Sequence, residues 1–137
     1  MELRKVILRY LEGPVLRAYA PFFEEGSDPV PAADISGMPL FVPLSQLKAV
    51  FFVRTFTGHP DYDNPATLDA VPSQGSGRLV LVRFSDGERV LGEVHDKTDT
   101  AKGFYLTVLD PEDNNLLIYI NPASLAEPPR SREEPAG

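Results

Sequence analysis

The chain has 137 residues, 13 of them basic and 20 acidic, giving a formal net charge of −7 and a pI near 4.7. Such a surface repels phosphate backbones, which argues against general nucleic-acid binding. The absence of cysteine excludes disulfides and thiolate metal sites, and no apolar run approaches the ~20 residues of a membrane helix. No apolar stretch of signal-peptide length follows Met1-Glu2-Leu3-Arg4-Lys5, so the expectation is a soluble, cytoplasmic protein with no membrane association. The 14 prolines stand well above the usual ~5% of residues. They disfavour long helices and suit short strands joined by tight turns.

In chain order, Lys5 to Tyr10 and Val15 to Ala20 read as a hairpin punctuated by Glu12-Gly13-Pro14. Phe22 to Met38 reads as a long loop holding one short strand, and Pro39 to Pro43 as a further strand. Ser45-Gln46-Leu47 suits one turn of 3₁₀ helix, with Ser45 placed to cap it. Ala49 to Phe56 is the most strand-like segment, and its nearly continuous apolar character predicts burial on both faces. Residues 57–76, rich in glycine and proline, read as a connecting loop longer than most. Strands then follow over Arg78 to Phe84, Arg89 to His95, Gly103 to Asp110 and Leu116 to Asn121, with a 3₁₀ turn over Ala123 to Leu125. Residues 127–137 are proline-rich and charged, and are expected to carry no structure.

This order repeats. Val6-Ile7-Leu8-Arg9-Tyr10-Leu11-Glu12-Gly13 is echoed by Val80-Leu81-Val82-Arg83-Phe84-Ser85-Asp86-Gly87. Leu40-Phe41-Val42-Pro43-Leu44-Ser45-Gln46-Leu47 is echoed by Ile118-Tyr119-Ile120-Asn121-Pro122-Ala123-Ser124-Leu125. A duplication of this kind sets architecture before it sets chemistry. The predicted fold is all-β: two tandem SH3-like or Sm-like barrels over residues 1–56 and 77–126, each near the size limit for an independent core and so packed as one unit.

Catalytic motifs are missing: the sequence has no G-x-S-x-G, Walker loop or dinucleotide fingerprint, so no enzyme activity, cofactor or metal is expected. His59, Asp61 and Tyr62 form a local cluster, but a metal site wants three or four converging ligands, and counting a calcium loop from Asp61 puts Ala66 and Pro72 where glycine and glutamate belong. Strand arginines are ordinarily ion-paired surface residues. The sharper reading is that Arg17, Arg54 and Arg83 converge between the repeats and, with His59, Asp61 and Tyr62, hold a small anion such as a nucleotide phosphate. Phe22, Phe23, Tyr62 and Phe104 are candidates to stack a base, against core packing as the default for barrel aromatics.

The stretch Leu47-Lys48-Ala49-Val50-Phe51-Phe52-Val53, the block Val82-Arg83-Phe84-Ser85-Asp86-Gly87-Glu88 and the later Gly92, Gly103-Phe104-Tyr105-Leu106, Asp110 and Asn114-Asn115 resemble a bacterial family of two-repeat β domains of unknown function. Some of its members stand beside PilZ or other signalling domains, and the resemblance implies a regulatory or motility role with no catalytic residues. The chain departs from that pattern at Pro29-Val30-Pro31-Ala32-Ala33, and it lacks the Arg-x-x-x-Arg and Asp/Asn-x-Ser-x-x-Gly signatures by which PilZ domains hold cyclic di-GMP. Asp86-Gly87 and Gly92 also fall as in an Sm-like hairpin, without the RNA-reading asparagine. The first expectation is therefore a non-catalytic interaction or regulatory module with a protein partner. The second is a sensor of a small anion or nucleotide, a cyclic dinucleotide among them, bound between the repeats.

Overall fold

The computed structural model describes residues 2–57 and 77–131. Its strands are β1 (Arg4–Tyr10), β2 (Val15–Ala20), β3 (Val30–Asp34), β4 (Pro39–Val42), β5 (Leu47–Val53), β6 (Arg78–Arg83), β7 (Arg89–Val94), β8 (Phe104–Val108), β9 (Asn115–Ile120) and β10 (Arg130–Ser131). One-turn 3₁₀ helices precede β5 (Leu44–Gln46) and β10 (Pro122–Ser124). All ten strands join a single sheet of order β10-β6-β7-β8-β9-β5-β1-β2-β3-β4, antiparallel at every pairing.

The two halves share one strand order. In each, four strands run in sequence, a 3₁₀ turn follows, and the next strand returns to pair with the first: β5 with β1, β10 with β6. Equivalent hairpins turn at Gly13 and Gly87, where φ is +114° and +96°, a left-handed conformation that glycine adopts without a Cβ penalty.

The closed barrels expected from the repeat are not formed as a closed ladder. β5 uses one edge for β1 and the other for β9, so it has no edge left with which to close the first half upon β4. The sheet stays open, ending at β4 and β10. Both ends are blunt: β4 is four residues long and starts on Pro39, and the two residues of β10 follow Pro128-Pro129. Short, proline-bearing edges discourage further strand addition.

β5 is the keystone. All seven of its residues are buried, as its apolar run predicts. Leu47, Val50 and Phe52 pack into a core with Val6, Leu8, Ala18, Ala20, Val30 and Val42. Ala49, Phe51 and Val53 pack into a second core with Val80, Val82, Phe84, Val90, Phe104 and Leu106. β9 is divided in the same way, with Tyr119 in the first core and Ile118 and Ile120 in the second. Neighbouring residues of a strand face opposite sides of a sheet, so the two cores lie on opposite faces of the β5–β9 seam. The pairs Tyr10↔Leu47 and Arg9↔Ala49 leave Lys48 as the extra residue of a bulge, which lets Leu47 and Val50 share a face.

Polar contacts lock the seam. Buried Asn121 donates from Nδ2 to Leu44 O (3.0 Å) and Leu47 O (2.8 Å), and its Oδ1 accepts from Ala123 N, capping the second 3₁₀ turn. The predicted cap at Ser45 is absent: Pro43 takes the N-cap position, and Asp28 Oδ1 accepts from Leu44 N at 2.9 Å. The segment before β3 is ordered by the other half. Tyr105 Oη donates to Phe23 O (2.7 Å), Tyr119 Oη donates to Ser27 O (2.9 Å), and Gly26 N donates to Gly103 O (2.8 Å). The tail, expected to be structureless, supplies β10, and Glu127 pairs with Arg83 at 2.9 Å.

Burial pushes the Tyr105 and Tyr119 phenols up to about 12 from the ordinary 10. Because the neutral form is favoured in the folded state, the stability this provides is complete below pH 10 and disappears as pH rises through 12. Alkaline titration followed at the tyrosinate absorbance should therefore show two of the five tyrosines ionising late, together with unfolding. Ionisation of all five near pH 10 in a chain that stays folded would refute the clasp.

Candidate functional site

A groove of about 410 Å³ opens at the end of the sheet where β1 and β9 begin and β2 and β5 finish. It therefore sits on the seam between the halves. Three cations line it, Arg4, Lys5 and Arg54, with Glu2 as the one carboxylate. In a chain of net charge −7 this is a local reversal of sign.

Each cation is placed by strand pairing. Val6↔Phe52 sets the start of β1 beside the end of β5, and Phe52↔Leu117 brings in the start of β9. Arg4 lies over the Phe22 ring, with Cζ 4.2 Å from the centroid, and 3.7 Å from Glu2 Oε1. Phe22 is 55% exposed and stacks on Phe52 at 5.5 Å between centroids with 25° between planes. One face of an aromatic pair thus meets both solvent and a guanidinium. Arg54 donates Nε to Asp113 O (3.1 Å) and Nη2 to Pro111 O (3.2 Å), so the 110–114 turn fixes its position. Lys5 is exposed and has no ion-pair partner among the described residues. Leu3 and Leu116 add exposed apolar surface to the rim.

Of the residues singled out in the sequence, Arg54 and Phe22 line this groove. Arg17 is exposed on β2 opposite Ile7 and does not line it. Arg83 lies on β6, ion-paired with Glu127. His59, Asp61 and Tyr62 lie outside the described residues. Among the aromatics, Phe22 is available for stacking, whereas Phe104 is fully buried in the second core and Phe23 packs against Tyr119 and Tyr105. Arg4 and Lys5 were not foreseen, since nothing local separates them from an ordinary charged strand start.

Among the described residues no group of three or more His, Asp or Glu is placed to hold a metal ion, and no helix is long and apolar enough to cross a membrane. Residues 110–114 form a turn, with Asp113 N donating to Asp110 O and Asp110 Oδ1 accepting from Glu112 N.

A protein-family model matches residues 2–128, covering both halves and the groove. The chain belongs to the family of unknown function DUF6982. The match treats both repeats as one family unit, in keeping with a single sheet whose central strand serves two cores. No curated protein and no solved structure matches this DUF6982 chain.

Proposed function

We propose that the protein is a non-catalytic recognition module of the bacterial cytoplasm, built from two duplicated SH3-like or Sm-like units, whose ligand enters the groove at the seam. The observation that carries this reading is that Arg4, Lys5 and Arg54 line one groove together with the half-exposed Phe22 in an otherwise acidic chain. The favoured ligand is an acidic segment of a protein partner that carries an apolar or aromatic side chain. Cations would receive its carboxylates, and Phe22, Leu3 and Leu116 its apolar group. A regulatory role, in signalling or motility, is what the resemblance to domains found beside PilZ and other signalling domains implies.

A second reading is a nucleotide, including a cyclic dinucleotide. It is favoured by the cations of the groove, of which Lys5 and Arg54 can meet phosphate.

The two are separated by thermal-shift panels at low salt, one of acidic peptides bearing Leu or Phe and one of nucleotides. A ligand at a hundred times its Kd adds about 2.7 kcal/mol, a rise of several degrees in Tm. The shift should vanish in Lys5→Glu and in Phe22→Ala and persist in Arg17→Ala. Stabilisation by neither panel, or an equal shift in Lys5→Glu, would refute the groove as the site.

A further inference from the structure

A second cationic site stands apart from the seam, on the outer face of the second half. Val80, Val82, Val90 and Val94 of β6 and β7 fill the second core. Their alternates Leu81, Arg83 and Arg89 therefore face away from it. The register places Arg83 directly opposite Arg89, and Arg130 of β10 directly opposite Leu81, so three guanidinium groups share one face. Like charges directly opposite each other on neighbouring strands oppose folding.

The chain answers this crowding only in part. Glu127 accepts from Arg83 Nε at 2.9 Å and lies 3.6 Å from Arg130 Nη2. Arg89 has no hydrogen-bond or ion-pair partner among the described residues. These residues and Leu81 line a depression of about 380 Å³. Among the described residues its lining holds three arginines and one glutamate, a local charge of +2. All four charged side chains reach solvent, and Arg83 and Arg130 are about half exposed, at 52% and 43%.

We propose that Arg83, Arg89 and Arg130 form a binding site for a phosphomonoester dianion, with Glu127 holding the first and third in place. A phosphomonoester carries close to −2 at neutral pH and three terminal oxygens. That charge balances the site, and its oxygens match guanidinium forks that present paired N–H donors. A single carboxylate would leave one unit of positive charge uncompensated. Arg89, which has no hydrogen-bond or ion-pair partner among the described residues, is the group the ligand engages most fully.

Two sources share this chemistry, a phosphorylated side chain and a free nucleoside monophosphate. The ¹⁵N-labelled protein is titrated with a phosphoserine peptide, with the same peptide unphosphorylated, and with adenosine monophosphate, at constant ionic strength, while the arginine side-chain signals are followed. One or both phosphate ligands should shift Arg83, Arg89 and Arg130 and the unphosphorylated peptide should not, the tighter ligand naming the source. Arg89→Gln breaks no hydrogen bond or ion pair among the described residues and should weaken binding about tenfold or more, the worth of one charge-assisted hydrogen bond. Glu127→Gln, which raises the site's charge, should tighten it. Arg17→Gln should leave it unchanged. No shift with either phosphate ligand, wild-type affinity in Arg89→Gln, or equal weakening in Arg17→Gln would overturn the proposal. These outcomes are independent of the seam groove, whose residues none of the variants touches.

Discussion

Tyr119→Ala is expected to cost about 3–5 kcal/mol of unfolding free energy, the range for removing a large buried aromatic. Tyr119 is fully buried. It stands on β9 of the second half yet packs in the core of the first, opposite Val50 and edge-on to Phe23 at 4.7 Å. Its hydroxyl also pins the 22–28 segment through Ser27 O. Domains of this size are stable by only about 5–15 kcal/mol, so the loss would leave the variant marginal. Tyr119→Phe keeps the ring and should cost only about 1 kcal/mol, the net worth of its hydrogen bond. Urea denaturation measures both, and a lowered midpoint with an unchanged slope marks a change in stability alone. A cost below about 1 kcal/mol for Tyr119→Ala would place it with ordinary surface substitutions and contradict its role as the wedge between halves.

Lys48→Glu should be comparably damaging, at about 3–5 kcal/mol, because it buries an uncompensated charge. The Lys48 side chain is 5% exposed. Its Nζ donates to Asp86 Oδ2 at 2.7 Å and to Glu88 Oε1, and lies 4.5 Å from the Phe84 ring centroid. Arg9 Nη1 adds a second bond to Glu88 at 2.9 Å. A lysine of the central strand thereby holds the β6–β7 turn of the other half. Its carboxylate partners are 50% and 39% exposed and can return to water, so Lys48→Met should cost far less, about 1–2 kcal/mol. The contrast between the two substitutions separates buried charge from lost packing.

The pH dependence of these variants has a definite sign. The Lys48 hydrogen bond is the largest cause holding the Asp86 carboxyl below the usual carboxylate range. The stability this provides is present above the unfolded value near 3.8 and is lost as pH falls through the lowered folded value. Lys48→Met should flatten that acid limb. Lys48→Glu should recover part of its deficit below about pH 4, where carboxylates lose their charge. Urea melts between pH 3 and 7 test both, and an identical deficit across that range would remove electrostatics as the cause.

The repeat and most of the strands along the chain were legible in the sequence because turn residues and apolar periodicity are local. Ala49 to Phe56 reads as buried on both faces; Ala49 to Val53 are, whereas Arg54 and Thr55 lie beyond the strand and are exposed. What local pattern does not carry is the partner of each strand edge. Nothing in Val50 or Phe52 says that β9 rather than β4 lies beyond β5, and that choice decides between two closed barrels and one open sheet. The same blindness affected the candidate sites. Arg17 and Arg54 look alike as strand arginines, yet one faces solvent across from Ile7 and the other is tied to Asp113 and Pro111 at the groove. Arg4 and Lys5 join Arg54 only because β1 pairs with β5. Arg89 gains meaning only when the register sets it opposite Arg83.

Phe22 to Met38 reads in the sequence as a long loop holding one short strand. Its first part is a clasp instead, held to β8 and β9 by two tyrosine hydroxyls and by Glu25, which accepts from Tyr105 N at 2.7 Å. Phe22, at the start of that clasp, is the residue that faces the groove. The clasp and the groove therefore depend on each other, and the binding surface exists only while the halves stay joined.

Differential scanning calorimetry of the whole chain tests that dependence most directly. A single sheet with shared β5 and β9 should unfold in one transition, with equal calorimetric and van't Hoff enthalpies. Two resolved transitions, or a calorimetric enthalpy well above the van't Hoff value, would mean that the halves melt independently and that the seam holds neither the fold nor the site.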